Sequence, residues 1–312
     1  MSSEIDKRPA LPVICGPTAV GKTALALQLA EEFEGEIVSA DSRQVFRLMD
    51  IGTAKPTAGE QQTARHHLID VAWPDEEFHA AHFLTHAEPV IKDIMQRGKR
   101  PLLVGGTGLY IKALTEGLLE APSADQAFRD HLHARAEEEG RPALHAELAN
   151  VDPASAARLH PNDLIRIIRA LEVYEQSGRP LSVLQDNHGF RGQPYRTIKI
   201  CLNLDRDILY QRINRRAKVM LEQGLLAEAE LLLKAGYDPA LKTLRTIGYR
   251  QAFALLRGEM SYGEALDSLQ QSTRRYAKQQ LTWLRKDKSM IWLESSDDFV
   301  TIRELIDGFY CI

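Results

Sequence analysis

The stretch 16-GPTAVGKT-23 matches the phosphate-binding pattern G-x-x-x-x-G-K-[ST]. Such a loop holds an anion with backbone N–H groups and the positive end of a helix dipole, aided by the Lys ammonium and by a hydroxyl suited to Mg²⁺. A glycine-rich turn without a ligand would not explain Lys22 and Thr23 together. We therefore predict a phosphate-binding loop made of Gly16, Pro17, Thr18, Ala19, Val20, Gly21, Lys22 and Thr23, with Mg²⁺ at Thr23.

The residues around this loop indicate an α/β fold. The apolar run 11–15 precedes the loop as a strand, and 22–33 has the Ala, Leu and Glu content of a helix. Further strands are predicted at 36–40, 67–71 and 101–104. A helix is expected over 78–98, bent or broken at Pro89. Short apolar strands alternating with helices predict a P-loop parallel sheet flanked by helices.

The middle of the chain has a different pattern. Residues 116–196 are rich in Ala, Glu, Arg and Leu at helical spacing, and their clearest helix is 163–176. We interpret this segment as an all-helical insertion domain. A strand signal returns at 197–204. Helical stretches follow at 207–234, 247–257 and 262–286. The α/β core with its basic C-terminal helices is therefore predicted to comprise 1–115 and 197–312, although 287–312 give little signal.

Composition narrows the class of protein. Of the residues, 44% are hydrophobic and 26% are charged, which is typical of a globular chain with a sizeable core. No apolar run approaches the roughly 20 residues of a membrane span, and no stretch before Pro9 resembles a signal peptide. The three cysteines are far apart, so they suggest neither a metal site nor a disulfide framework. We expect a cytoplasmic monomer that does not contact membranes.

Charge is unevenly distributed along the chain. The net charge is −4, but residues 198–288 contain 17 Lys and Arg against 10 Asp and Glu. That segment is therefore positively charged and could face a polyanion. Within it, the helix 273–288 interleaves basic residues with Tyr276 and Trp283. This pattern suits RNA, whose unstacked bases lie on aromatic or Arg planes, and it suits equally well an amphipathic helix that buries Trp283.

Asp41 is the main candidate for catalysis. It follows the strand 36–40, at the edge where open α/β sheets bind ligands, and it precedes Ser42, Arg43 and Gln44. Its carboxylate could accept a proton from a nucleophile, hold Mg²⁺ through water, or simply cap a turn. Spacing leaves these roles open.

Two further stretches are weaker candidates. The stretch 105-GGTGLY-110 follows a strand and contains glycines and one hydroxyl, that of Thr107. Such a pattern more often marks an ordinary turn than a binding site. In 212-RINRRAK-218, Arg212, Arg215 and Arg216 occupy more than one helix face. One of them suits a phosphate clamp, because Arg binds phosphate oxygens in a bidentate way, whereas solvated positions explain the others.

Eight motifs in order resemble the bacterial tRNA dimethylallyltransferases. They are GPTAVGKT (16–23), DSRQVF (41–46), GTAKP (52–56), HHLID (66–70), GGTGLY (105–110), RALEVY (169–174), RTIGYR (245–250) and LTWLR (281–285). The resemblance implies that the loop holds the diphosphate of dimethylallyl diphosphate, whose dimethylallyl group goes to N6 of the adenosine 3′-adjacent to the anticodon. It also implies roles for Asp41 as the base, Thr107 near the reacting carbon and Arg216 at the diphosphate.

The resemblance further implies a tRNA surface that receives the anticodon stem-loop. Its predicted contacts are Asp41, Ser42, Arg43, Gln44, Arg129, Ile165, Arg166, Ile167, Ile168, Arg169, Arg245, Thr246, Ile247, Gly248, Tyr249, Arg250, Lys278, Gln279, Gln280, Leu281, Thr282, Trp283, Leu284 and Arg285. Phe46 and Gln279 depart from the Tyr and Arg that are usual in the family. The eukaryotic zinc finger is absent, since the C-terminal third has no cysteine pair.

Three other functions compete with this interpretation. A P-loop kinase or ATPase of small molecules would explain 16–23 and Asp41, but not the basic C-terminal helix. A non-catalytic RNA-binding protein would not need Lys22, Thr23 and Asp41 together. Prenylation of free adenine nucleotides would use the same core, so only competition between acceptors separates it from tRNA prenylation.

Overall fold

The structure is a computed structural model that describes residues 6–189, 192–294 and 299–311. Residues 1–5, part of the stretch inspected for a signal peptide, lie outside the described residues. In the described part of the chain, none of the helices combines the length and the apolar character that a membrane crossing requires.

Six parallel strands form one sheet in the order β3-β2-β4-β1-β5-β6. They are β1 (Ala10–Cys15), β2 (Gly35–Ala40), β3 (His66–His67), β4 (Arg100–Gly105), β5 (Arg196–Asn203) and β6 (Met290–Glu294). In each of β1, β2 and β4, five of the six residues are buried, as expected for strands covered on both faces. The predicted fold class, an α/β fold with a parallel sheet flanked by helices, is confirmed.

Helices connect and cover these strands. Between β1 and β5 they are α1 (Lys22–Glu32), α2 (Ala58–Thr63), α3 (Ala80–Gln96), α4 (Gly108–Glu116), α5 (Gln126–Glu138), α6 (Arg141–Val151), α7 (Pro153–Arg158), α8 (Leu164–Ser177) and α9 (Leu181–His188). After β5 follow α10 (Arg206–Glu222), α11 (Leu225–Lys234), α12 (Tyr249–Leu256), α13 (Tyr262–Leu284) and α14 (Phe299–Tyr310).

The chain divides into two compact units. One comprises Met1–Thr115 with Pro194–Ile312, and the other comprises Glu116–Gln193. The first unit has one apolar cluster between the sheet, α1 and α14, and a second among α10 to α13. The helical unit has its own apolar cluster, in which Leu144, Leu148 and Ile167 are fully buried.

Local backbone geometry explains where elements differ from prediction. The strand expected at 67–71 is only two residues long, because Leu68 and Asp70 adopt left-handed backbone angles that a strand cannot contain. The helix expected at 207–234 is two helices, separated at Gly224, which has φ 107°. The exposed Pro89 does not break α3, which continues to Gln96. Strand β6 and helix α14 lie in the tail that gave no prediction.

Candidate active site

The predicted phosphate-binding loop joins β1 to α1, and Gly21 is the residue that precedes the helix. Gly16 and Gly21 have φ of 143° and 110°, in the left-handed region that favours glycine. The Lys22 ammonium donates hydrogen bonds to the carbonyls of Gly16 at 3.0 Å and Pro17 at 2.8 Å. The loop therefore carries its cation folded against its own backbone, beside the N-terminus of α1.

The ionisation of Lys22 is shifted by this position. Loss of solvation lowers the pKa of Lys22 to about 8, with the Asp41 carboxylate opposing the shift and the Arg216 guanidinium adding to it. All three charged groups therefore lie close enough to act on one another. The sequence placed them in three separate motifs, and the fold brings them into one site.

Helix α10 brings two arginines to the loop. Arg216 donates from Nη2 to the Thr18 hydroxyl, and Arg212 donates to the Val20 carbonyl at 3.4 Å. Burial lowers the pKa of Arg216, which Asp41 partly opposes. The Arg216 Nε is buried and has no hydrogen-bond partner among the described residues. A buried cation with an unused donor is suited to binding an anion.

Asp41 follows β2 and uses one carboxylate oxygen in a turn. Its Oδ1 accepts from the backbone N–H of Arg43 at 2.8 Å and of Gln44 at 3.4 Å. No hydrogen bond to Oδ2 occurs within the described part of the chain. Asp41 therefore caps a turn through one carboxylate oxygen, and its second oxygen stays available.

Thr107 lies on the loop that follows β4. Its hydrogen bonds connect this loop to the two residues that flank Asp41. Its hydroxyl accepts from the Ser42 N–H at 2.9 Å, and its own N–H donates to the Ala40 carbonyl at 3.1 Å. Asp41, Thr107 and the phosphate-binding loop therefore stand at the carboxyl ends of three adjacent strands, β2, β4 and β1.

A cavity of about 410 Å³ opens beside these groups. Its wall combines five cationic side chains, one carboxylate and an apolar surface contributed largely by α10 and α13. The lining residues are Thr18, Asp41, Arg43, Gly52, Thr53, Ile213, Arg216, Ala217, Met220, Lys242, Arg245, Thr246, Ile247, Arg250, Leu269, Thr273 and Tyr276. This combination suits a polyanion and an apolar group at the same time.

A second cavity of about 510 Å³ shares Arg216 and Met220 with the first. Thr23 of the phosphate-binding loop lines it, together with the loop 50–58. The buried Lys55 ammonium lies there between Asp50 at 2.5 Å and Asp70 at 2.6 Å. The first cavity thus adjoins the phosphate-binding loop at Thr18 and the second adjoins it at Thr23. Arg216 lines both cavities.

The predicted tRNA contacts divide by exposure. Side chains that are exposed, and so could meet a macromolecule, are Arg43, Ile165, Arg166, Arg245, Arg250, Lys278, Gln279, Thr282 and Arg285. Those partly exposed are Asp41, Ser42, Gln44, Arg129, Arg169, Thr246, Ile247, Leu281 and Trp283. Ile167, Ile168, Gly248, Tyr249, Gln280 and Leu284 are buried. These six residues pack inside the protein, and their predicted contact with tRNA stays a prediction, as it does for the other members of the set.

Several partly exposed residues are held by internal hydrogen bonds. Gln44 donates to the Ala54 carbonyl at 3.1 Å and accepts from Ser39 at 3.3 Å. In the helical unit, Arg129 and Arg169 both pair with the fully buried carboxylate of Glu172. Arg166 is 69% exposed and pairs only with Asp163 among the described residues. Arg129 and Arg169 therefore have a structural role that Arg166 lacks.

Sequence reasoning missed two important residues. Lys242 lines the first cavity three positions before the motif 245–250, and it was not singled out. Glu228 is buried in α11, where it accepts from the N–H groups of Asp50, Ile51 and Gly52 at 2.7–3.0 Å and from the Tyr249 hydroxyl at 2.5 Å. An acidic residue inside the apolar run 225–233 was the only available signal.

Comparison with known proteins places the chain in a family. The family model described as IPP transferase matches residues 44–287. The tRNA dimethylallyltransferase of Geobacter metallireducens is 50% identical over 305 residues, covering 98% of this chain and 99% of the relative. The match confirms the resemblance inferred from the eight motifs.

Solved structures give the same result. The full-length tRNA isopentenylpyrophosphate transferase of Bacillus halodurans is 41% identical, with a TM-score of 0.71 and 97% coverage of each chain. A eukaryotic dimethylallyltransferase acting on tRNA is 26% identical, with a TM-score of 0.79 and coverage of 97% of this chain and 79% of that one. Together with the family model over most of the sequence, these matches show that the chain belongs to the IPP transferase family.

Proposed function

We propose that this protein transfers the dimethylallyl group of dimethylallyl diphosphate to N6 of the adenosine 3′-adjacent to the anticodon in tRNA, releasing diphosphate. One observation carries the proposal: a cavity with five cationic side chains and an apolar wall lies next to a phosphate-binding loop and one available carboxylate oxygen. The named relatives support the same reaction.

The phosphate-binding loop would hold a leaving group. As the allylic C–O bond breaks, its electron pair moves to the diphosphate, whose negative charge increases. Lys22, Arg216 and the N–H groups at the start of α1 carry the opposite charge around that position. Groups that stabilise charge where it develops accelerate the chemical step.

Asp41 would accept the proton from the acceptor amine. N6 of adenosine forms a bond to the allylic carbon and loses a proton, for which Asp41 Oδ2 is available while Oδ1 keeps its turn hydrogen bonds. The adenosine has to leave the anticodon stack to reach this carboxylate. The exposed Arg43, Arg245 and Arg250 around the first cavity suit the neighbouring phosphates.

The protein residues fit Mg²⁺ only in combination with the diphosphate. Thr23 offers a hydroxyl at the start of α1 and lines the second cavity. The described residues contain no cluster of three or more His, Cys, Asp or Glu that could bind a metal by themselves. Mg²⁺ commonly combines few protein ligands with phosphate oxygens and water, and when bound it would neutralise charge on the diphosphate.

A single assay tests the proposal. The protein is incubated with unmodified tRNA, labelled dimethylallyl diphosphate and Mg²⁺, and the nucleosides are analysed by mass spectrometry. We expect prenylated adenosine at the position after the anticodon, and none with Lys22→Ala, whose affinity for tRNA stays within about threefold because its cation faces the leaving group. Transfer to free AMP in preference to tRNA, or ATP turnover without any transfer, would contradict the proposal.

A further inference from the structure

Gln280 connects two loops of the candidate active site. It lies on α13, is 7% exposed, and its side-chain amide forms two hydrogen bonds. The Oε1 accepts from the Thr18 N–H of the phosphate-binding loop at 2.9 Å. The Nε2 donates to the Gly106 carbonyl, on the loop after β4, at 3.0 Å. One amide therefore joins the C-terminal ends of β1 and β4 from a third element.

Each of these loops continues to a group that takes part in the proposed reaction. The Thr18 hydroxyl also accepts from Arg216, which would face the diphosphate. Gly106 precedes Thr107, whose hydroxyl holds the N–H of Ser42 next to Asp41. Gln280 thus lies between the residues that would bind the leaving group and the residues that would position the base.

The packing leaves little freedom for this amide. A Cβ added to Gly106 would lie 2.3 Å from the Gln280 Nε2, and one added to Gly108 would lie 2.0 Å from the Trp283 ring. The glycines of 105-GGTG-108 therefore make room for side chains of α13. Gln280 and Trp283 lie about one helical turn apart, and both side chains pack α13 against this loop.

We propose that Gln280 is a positioning residue, which fixes the phosphate-binding loop relative to the Asp41–Thr107 loop so that leaving group, carbon and base are aligned. The inference rests on the proposed prenyl transfer and adds to it a residue that acts through its hydrogen bonds to Thr18 and Gly106. The neutral amide satisfies both loops, because the Thr18 N–H needs an acceptor and the Gly106 carbonyl needs a donor. Its amide makes these two internal hydrogen bonds, and the tRNA contact predicted for Gln280 from sequence stays a prediction.

The test compares two glutamines of α13. Gln280→Met keeps the volume and removes both hydrogen bonds, whereas Gln271→Met changes an exposed glutamine of the same helix that is not among the predicted tRNA contacts. We expect the single-turnover rate at saturating substrates to fall at least about tenfold for Gln280→Met, because misalignment by a fraction of an ångström slows an aligned reaction. Affinity for tRNA should stay near the wild-type value, whereas the melting temperature should fall by several degrees, because the Thr18 N–H and the Gly106 carbonyl lose their partners. Gln271→Met should keep the wild-type rate.

Gln280→Glu separates positioning from packing. It keeps an acceptor for the Thr18 N–H, but an ionised carboxylate repels the Gly106 carbonyl, while the protonated form donates to it. The rate of Gln280→Glu divided by that of wild type should therefore rise as the pH falls from about 8 to 6. A merely structural defect would leave this ratio constant, which would overturn the proposal.

Gly106→Ala provides an independent perturbation, since its Cβ would displace the amide. We expect it to slow transfer as Gln280→Met does, and the double variant to be no slower than the slower single variant, since both remove one interaction. Additive losses, or a Gln280→Met rate within threefold of wild type, would overturn the inference while leaving the proposed function intact. Absence of transfer by the wild-type protein would overturn both. Should Gln280→Met fail to fold, the Gln280→Glu and Gly106→Ala arms decide the matter.

Discussion

At the scale of single residues, Asp41 and Lys22 each combine a hydrogen bond to the local backbone with a charge that faces the candidate site. Asp41 stabilises a turn through Oδ1 and keeps Oδ2 available. Lys22 binds the carbonyls of Gly16 and Pro17 and also has an altered ionisation. Capping and catalysis are therefore not alternatives at Asp41, and a substitution has to separate them.

Asp41→Asn should slow transfer and preserve the fold. The Asn side-chain oxygen still accepts from the Arg43 N–H, but the amide cannot take the N6 proton, so the rate should fall roughly 10²-fold or more. Asp41→Ala also loses the turn hydrogen bonds and should cost about 1 kcal/mol of stability. Single-turnover rates and thermal melts of both variants check this. An Asn variant that keeps more than about a third of the wild-type rate would exclude the base role.

Lys22 predicts a pH dependence of anion binding. Because desolvation lowers its pKa to about 8, the ammonium that attracts diphosphate is present below that pH and is lost above it. Affinity for inorganic pyrophosphate should therefore fall by up to about tenfold per unit above pH 8, relative to Lys22→Arg. The Arg variant keeps its charge and corrects for ionisation of the ligand. Parallel pH profiles of the two proteins, measured by calorimetry, would refute the prediction.

At the scale of elements, helix α8 carries two arginines with different tasks. Arg166 is exposed and Arg169 pairs with Glu172, which is fully buried and also bound by Arg129. The two side chains are three positions apart, so their spacing in sequence made them look equivalent. Burial of the partner carboxylate distinguishes them.

Alanine variants of α8 should show this difference. Arg166→Ala should reduce the slope of log affinity for tRNA against log salt by roughly 1 and leave stability within about 0.5 kcal/mol. Arg169→Ala should destabilise the protein by about 2 kcal/mol, because the buried Glu172 carboxylate keeps its pairing with Arg129 but loses that with Arg169. Urea unfolding and salt-dependent binding measure the two effects. Equal stability losses would mean that the Glu172 network has no special importance.

The elements that sequence predicted well are those that local rules determine. Apolar runs and the loop 16–23 located β1, β2, β4 and α1, and β5 was found from 197–204. The rules failed where backbone conformation decided the outcome, as at Leu68 and Asp70, and where pairing was long-range, as for β6 beside β5. Motifs located Asp41, Thr107 and Arg216. They could not reveal that Gln280 points inward and Gln279 outward, because that depends on how α13 packs.

At the scale of the whole molecule, several carboxylates depend on partners that exist only in the folded state. Hydrogen bonds from Arg97, opposed by burial and aided by His67, lower the pKa of Glu36 to about 2. Burial alone would raise the pKa of Glu172, but hydrogen bonds from Arg129, Arg169 and the Asp125 N–H outweigh it and lower the pKa. Both units therefore contain groups whose protonation opposes folding.

Acid should therefore destabilise the protein progressively. A carboxylate whose pKa is lowered by folding contributes stability above its unfolded pKa, about 4.3 for Glu, and this is lost as pH falls toward the folded value. The melting temperature should thus drop steeply between about pH 5 and pH 2. Glu172→Gln, which does not titrate, should lower the melting temperature at pH 7 and reduce the drop. A variant as acid-sensitive as wild type would show that Glu172 contributes nothing to it.

The strand order of the sheet has a geometric consequence for the reaction. Asp41, Thr107 and the phosphate-binding loop follow β2, β4 and β1, which are consecutive in the sheet. Neighbouring strands lie about 4.8 Å apart, so the backbone ends of β2 and β1 are separated by roughly 10 Å along the sheet edge. An amine nitrogen, an allylic carbon and a diphosphate placed end to end occupy about that length. In the proposed reaction, backbone hydrogen bonding would thus set the distance between base and leaving group, and evolution toward a bulkier donor would have to alter the cavity wall on α10 and α13 instead.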